Sequence, residues 1–353
     1  MRRLITKIQQ QIQQWPPSLR WSLGGLALIY GGCLNASWVS PYPEHWSNPR
    51  LALQPPTAVY WQLPTQHGST SRYQLTAPYV LAVDKRFNTE TLLFEYRIAN
   101  ATPHYLQFCV WDATGFHLIK PPQQGGFHLL GTDASGRDVF SRVLYGGRLS
   151  LLIGCLSLLL TFPLGACLGG IAALFGGWVD TLLMRGSEVL MSIPGLFLLT
   201  SMAALLPASL GSTERFVIVS LLLSLVGWTG LARLTRSVLL SVINEPFMEA
   251  ARTLGVGRGY LLIKHLLPQC LGFLVVLAAL GMPSYILSEA SLSLLGLGIQ
   301  QPDASWGNLL REAQELSNLL ERPWMMFPAL LLAVLIFAYN HTARWLNTSK
   351  PRG

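Results

Sequence analysis

The sequence predicts an all-α polytopic membrane protein, and three observations carry that reading. Of 353 residues, 51% are hydrophobic and 12% charged, far more apolar than a soluble domain, and mean hydropathy is +0.39. Six apolar runs, at about 21–39, 149–175, 187–207, 215–235, 270–295 and 326–346, each approach or exceed the roughly 20 residues that cross a bilayer. A soluble helical core would show polar faces at helical spacing, and stretches such as Leu149 to Thr161 show almost none.

The first run follows Arg2, Arg3, Lys7 and Arg20. A basic front and a short apolar centre suit either an uncleaved helix or a cleaved signal peptide, and Tyr30-Gly31-Gly32-Cys33 faintly resembles a lipoprotein cleavage site with Tyr where Leu is usual. Roughly 90 residues then precede the second run, more than a simple connection needs. Within them Thr91 to Ile98 and Tyr105 to Trp111 are aromatic and β-branched, which predicts strands. Gln54-Pro55-Pro56 and Lys120-Pro121-Pro122 mark the edges of a small β-rich insertion over 41–128. Of the five cysteines, Cys33, Cys155, Cys167 and Cys270 lie in or beside the apolar runs, leaving Cys109 alone in the insertion, so no disulfide forms inside it. His104, His117 and His128 lack metal-ligand spacing and are expected to be surface or packing residues.

Before the second run, Asp133, Arg137 and Asp138 fit a short amphipathic helix, Asp133 near its N-terminus and Arg137 one turn on. Its expected role is to order the entrance to that run. Gly165, Gly169 and Gly170 inside the run let neighbouring helices approach closely.

Residues 244–269 form a polar, glycine-bearing stretch between two apolar runs. Asn244 suits a helix cap, Glu245 and Pro246 a first turn, and Gly255 the left-handed position that ends a helix. A second piece is expected from about Gly259 to Leu267, stopped by Pro268. Ala250 and Ala251 keep the first helix narrow, as a knob entering a partner's groove would be; an ordinary surface loop is the alternative.

In the fifth run, Glu289 is an acid in apolar surroundings, which is costly unless it meets a partner, water or the interface. It either lines a path or fixes the turn at Gly296 and Gly298 by a hydrogen bond. Basic residues cluster before the first run, around 233–264 and after the last run. With six spans all three clusters fall on one side, which predicts cytoplasmic termini and an exported insertion. The formal charge of +8 is then topological and gives no reason to expect nucleic-acid binding.

Three motifs carry a family resemblance. Glu249-Ala250-Ala251, then Gly255, then His265-Leu266-Leu267-Pro268 resembles the EAA signature of ABC-transporter permeases, with His265 where many have Ile, as in the dipeptide, oligopeptide and nickel subgroup. Gly131-Thr132-Asp133, Gly136-Arg137-Asp138, Ser141-Arg142 and Tyr145-Gly146-Gly147-Arg148 resemble the C-type permease component of peptide importers. So does the stretch from Glu289 through Gly296, Gly298, Trp306 and Gly307 to Asn308.

The resemblance implies a cytoplasmic N-tail with an uncleaved first span over 1–40, the insertion over 41–128, an ABC permease domain over 129–347 and a short cytoplasmic tail over 348–353. It also implies a multi-pass protein of the cell (inner or plasma) membrane. It implies a second homologous permease, ABC ATP-binding subunits (separate or fused) and an extracytoplasmic solute-binding protein, which the insertion either touches or ignores. Glu249 to Leu254, with Arg252 and Arg258 facing either acidic groove residues or anionic lipid, would dock on the ATP-binding subunit. ATP and Mg would be used by those partners, because no Gly-x-x-x-x-Gly-Lys-Ser/Thr loop occurs here. After Ala338-Tyr339-Asn340 the tail departs from the family pattern, continuing with His341-Thr342-Ala343-Arg344.

Two other classes compete. An intramembrane serine protease would need a nucleophile signature, and no Gly-x-Ser-x-Gly occurs, with only His341 inside a late span. A self-sufficient secondary transporter would show internal repeats, and none is evident.

Overall fold

The computed structural model describes residues 15–56, 128–207 and 209–348, together with short strands between 62 and 119. Expectations for Arg2, Arg3, Lys7, the Lys120-Pro121-Pro122 boundary and the tail from 349 fall outside these residues, as do the side chains of His104, Cys109 and His117.

The chain is mainly helical. α1 (Pro17–Leu34) and the short α2 (Ala36–Val39) are followed by α3 (Val139–Phe175), α4 (Gly177–Ser192), α5 (Gly195–Ala204) and α6 (Ser212–Val242). Then come α7 (Pro246–Thr253), α8 (Arg258–Leu294), α9 (Trp306–Ala313), α10 (Leu316–Glu321) and α11 (Phe327–Thr348). Among the described residues four helical stretches are long and apolar enough to cross a membrane: α3, α6, α8 and Pro323–Asn347, which contains most of α11. The pair α4 and α5 passes the same test as a single broken span, making five. α1 has 18 residues, and Arg20 and several glycines dilute its apolar content.

Two expected elements differ. The third run does not form one straight helix: it breaks between Ser192 and Gly195 with an 82° bend, because Pro194 cannot supply a backbone donor there. Pro268 does not stop a helix. The chain passes through a π turn at Leu261–Leu266, in which the Leu267 N–H reaches back to Leu262 O. Pro268 then sits in the first turn of the next α-helical stretch, where its missing N–H is least costly.

Between 62 and 119 the strands pair antiparallel: β1 (Gln62–Pro64) with β2 (Thr70–Arg72), β3 (Ala82–Asn88) with β4 (Leu93–Ile98), β4 with β5 (His104–Tyr105), and β6 (Phe108–Asp112) with β7 (Gly115–Ile119).

α3 is the central helix and packs most extensively on α6 and then on α8. Glycine lets it do so: a Cβ at Gly169 would lie 2.3 Å from Ala232 O. Three apolar clusters run along it. One joins α1, α3, α8, α9 and α11 around Val143, Ile286, Trp306 and Leu335. A second joins α3, α5, α6 and α8 around Ile153, Leu223 and Leu292. The third joins the far end of α3 to α6, α7 and the start of α8 around Leu239, Met248 and Leu266.

Candidate functional site

The motif residues gather at the two ends of this bundle. At one end stands α7, opened by Pro246 at its first position and closed at Gly255, whose φ of 72° is strained for any side chain. Asn244 lies outside the helix, which starts at Pro246. Met248 and Ala251 are buried in the chain's own third cluster, 0% and 8% exposed. This corrects the expectation that Ala251 enters a partner's groove. Pro246, Phe247, Glu249, Ala250, Thr253 and Leu254 are exposed, and the spacing 247, 250, 254 sets Phe247, Ala250 and, just past the helix end, Leu254 on one face. Leu254 is 82% exposed. Arg258 covers the Phe175 ring at 5.2 Å, tying the end of α3 to the start of α8. Leu267 and Pro268 belong to α8; Leu267 packs against the third cluster, whereas Pro268 is exposed.

At the other end, residues 131–138 form a tight loop rather than the expected amphipathic helix. Asp133 prevents the helix: its carboxylate accepts from the Ser135 and Arg137 amides at 2.8 and 2.9 Å, the local turn that aspartate offers in competition with helix. Asp138 bridges back to Thr132 and caps α3, accepting from the Ser141 amide at 2.7 Å. The loop is sewn to the chain that follows α2. Leu53 N–H donates to Asp133 O and Thr132 N–H to Gln54 O, both at 2.9 Å, and Gln54 N–H donates to Thr132 Oγ1 at 2.8 Å. Gly136 has φ 71°, and a Cβ there would sit 1.9 Å from Asn48 O; Gly131 opens the same loop. His128, expected to be a surface or packing residue, is 1% exposed; it contacts Asp138 at 2.8 Å and stacks on Tyr42.

A buried charge cluster ties this loop to α9. Arg137 Nε donates to Asp133 at 2.7 Å, Arg142 bonds both Asp133 and Glu312, and Gln301 bonds Arg137 and Glu312. Arg142 is 2% exposed, and among the described residues these carboxylates offset its desolvation. Nearby, burial pushes the Glu44 carboxyl above its usual range, opposed by His45, reinforced by Asp303 and opposed again by Arg148.

Glu289 is 0% exposed and accepts from Ser150 Oγ and Ser293 Oγ, each at 2.7 Å. Each hydroxyl in turn accepts a backbone amide, Trp306 N at 3.2 Å and Ile299 N at 3.0 Å. The carboxylate thus holds the turn containing Gly296 and Gly298 and the start of α9, the structural one of its two expected uses. Trp306 is fully buried and donates its indole N–H to Val143 O at 3.0 Å. Gly307 lets α9 lie on α8, since a Cβ there would meet Ala290 O at 2.4 Å. Ser150, Gln301 and Glu312 were not singled out by sequence reasoning, and Arg142 entered only as part of a motif, without its partners.

Among the described residues no group of three or more His, Cys, Asp or Glu side chains could hold a metal ion.

Residues 165–349 match the family described as binding-protein-dependent transport system inner membrane component. The chain is 35% identical over 250 residues to the oligopeptide transport system permease protein OppC of Haemophilus influenzae, covering 70% of this chain and 78% of that one. It is 37% identical over 240 residues to OppC of Escherichia coli K12, covering 67% and 76%. It is 37% identical over 215 residues to the dipeptide transport system permease protein DppC of Bacillus subtilis, covering 60% and 65%. A solved structure titled as inward-facing conformations of the MetNI methionine ABC transporter aligns with a TM-score of 0.45 and 20% identity, over 59% of this chain and 97% of that chain.

Proposed function

This chain belongs to the inner-membrane-component family of binding-protein-dependent transport systems, as a dipeptide- or oligopeptide-type permease subunit of an ABC importer, and we propose that α7 is where its ATP-binding partner drives it. One observation carries the proposal: a short polar helix sets Phe247, Ala250 and Leu254 outward while Met248 and Ala251 anchor it in the core of α3, α6 and α8. Force applied to the outer face therefore reaches three spans through packed side chains, which deform little. Glu249 and Arg252 flank that face in sequence, and Gly255 fixes the bend into α8.

In the same proposal α1 is a sixth span, packed on α3 and α11, so both termini and α7 are cytoplasmic and residues 41–128 are exported. The paired strands between 62 and 119 support a β-rich insertion there. A second permease completes the membrane unit, and a solute-binding protein delivers substrate to the end holding Asp133, Glu289 and Trp306. ATP and Mg are handled by the partner, and this chain performs no catalysis of its own.

The test is copurification. The tagged wild-type chain should bring ATP-binding subunits with it, and Leu254→Asp should release them while the second permease stays bound. Retention of the ATP-binding subunits by Leu254→Asp would move the joint elsewhere.

A further inference from the structure

Two clefts lie along one stretch of α6. The first, about 420 Å³, is lined by Leu199 of α5, Val226 and Gly227 of α6, and Ser284, Tyr285 and Ser288 of α8. The second, about 410 Å³, is lined by Asp180, Arg185 and Glu188 of α4 and by Arg233, Arg236 and Ser237 of α6. Gly227 of the first and Arg233 of the second are six positions apart, roughly 9 Å of helix. Along α6 the lining thus changes from an apolar, hydroxyl-bearing wall to a charged one.

The charges in the second cleft are unequally matched. Arg236 grips Asp180 with two parallel bonds, and Arg185 meets Glu188 at 2.7 Å. Arg233 is exposed, and its one contact among the described residues is the Met191 thioether at 3.7 Å, a weak acceptor. The cleft therefore offers a guanidinium without a carboxylate, beside two carboxylates already held. Asp180 and Glu188 are each paired with an arginine, so the cleft is net positive and the guanidinium of Arg233 is left for an anionic group. A terminal carboxylate matches the planar donor fork of that guanidinium.

We propose that this cleft is a subsite on the translocation path, in which Arg233 takes the terminal carboxylate of a peptide passing along α6. The proposal rests on the reading of the chain as a peptide-type permease, which also places the charged end of the groove on the cytoplasmic side.

The experiment uses the full complex with its binding protein in vesicles, with trialanine and trialanine amide as probes. Arg233→Gln should lower the ratio of trialanine to trialanine-amide maximal uptake rates about tenfold, the weight of one charge-assisted hydrogen bond. Arg233→Lys should restore most of the ratio, and KM, governed by delivery from the binding protein, should not move. An unchanged ratio, or an equal loss for both probes, overturns the subsite. So does a loss seen only in vesicles containing phosphatidylglycerol, which would assign the cleft to a lipid headgroup. If the wild-type complex accumulates none of di-, tri- or tetraalanine, the function proposed above fails and the subsite falls with it. Wild-type uptake with an unresponsive Arg233 variant sinks the subsite alone.

Discussion

Ser150 of α3 and Glu289 of α8 are 139 positions apart in sequence, yet they share a fully buried 2.7 Å hydrogen bond. The bond is one arm of a relay that ends on two backbone amides, Trp306 and Ile299. A carboxylate in an apolar helix is thereby converted into a joint between α3, α8 and α9.

Removing that acceptor should show in stability before it shows in transport. Glu289→Leu leaves two buried hydroxyls without an acceptor, a cost on the order of 1–3 kcal/mol for each. Glu289→Gln keeps an acceptor for one serine and should cost about half as much. Thermal unfolding of the detergent-solubilised complex measures both, and a Glu289→Leu melting point equal to wild type would contradict the relay.

The Asp133 cluster should respond asymmetrically. Asp133→Ala strips Arg142 and Arg137 of the more buried of their two shared carboxylates in a site where Arg142 is 2% exposed, so the loss should approach the 3–5 kcal/mol typical of a broken buried pair. Glu312, 17% exposed at its side chain, can be relieved by water, and Glu312→Gln should cost clearly less. Expression yield and thermal stability of the two variants rank them; the reverse order would mean that α9, rather than the loop, carries the cluster.

At α7, inner and outer faces should fail differently. Ala251→Glu forces a charge into the chain's own core and should lower stability by at least about 1–3 kcal/mol through overpacking. Ala250→Glu alters only the outer face and should leave the melting temperature within a degree or two while substrate-stimulated ATPase activity and uptake fall together. Gly255→Val should also uncouple, since a β-branched residue resists positive φ. Full coupling in Ala250→Glu would show that this face meets no partner.

Excision of residues 57–127 with a short flexible linker should leave the permease intact. The two ends of that segment are already joined through Gln54 and Thr132, so closure adds little strain. The shortened chain should insert and bind its partners at wild-type levels, as measured by membrane yield and copurification. Aggregation on deletion would show that the segment is part of the permease core.

How much was legible in the sequence depends on how local the cause was. Gly255 was legible because a single residue decides the backbone there. The break at Ile193-Pro194 was written in the sequence, but apolar content on both sides masked it. Asp133 suggested a helix by charge spacing, whereas its carboxylate had two backbone amides within reach and took those instead. Pro268 looked like a stop because a proline normally needs a frayed helix before it, and the π turn supplies one without ending the span. Arg142 meets Glu312 170 positions away and Glu289 meets Ser150 139 positions away, on helices whose contact only the packed bundle creates. Ala251 points inward because the start of α8 and the end of α6 cover it, which no property of residues 244–269 reveals.

The 82° corner between α4 and α5 has a further meaning for the solvent around this chain. A continuous helix carries its peptide groups through oil fully satisfied, but the last carbonyls of α4 and the first amides of α5 have no intrahelical partners. Hydrocarbon cannot supply them. If the corner lies between the bilayer faces, it must be wetted or covered by another chain. The proline at position 194 would then fix one place where this protein cannot face bare lipid.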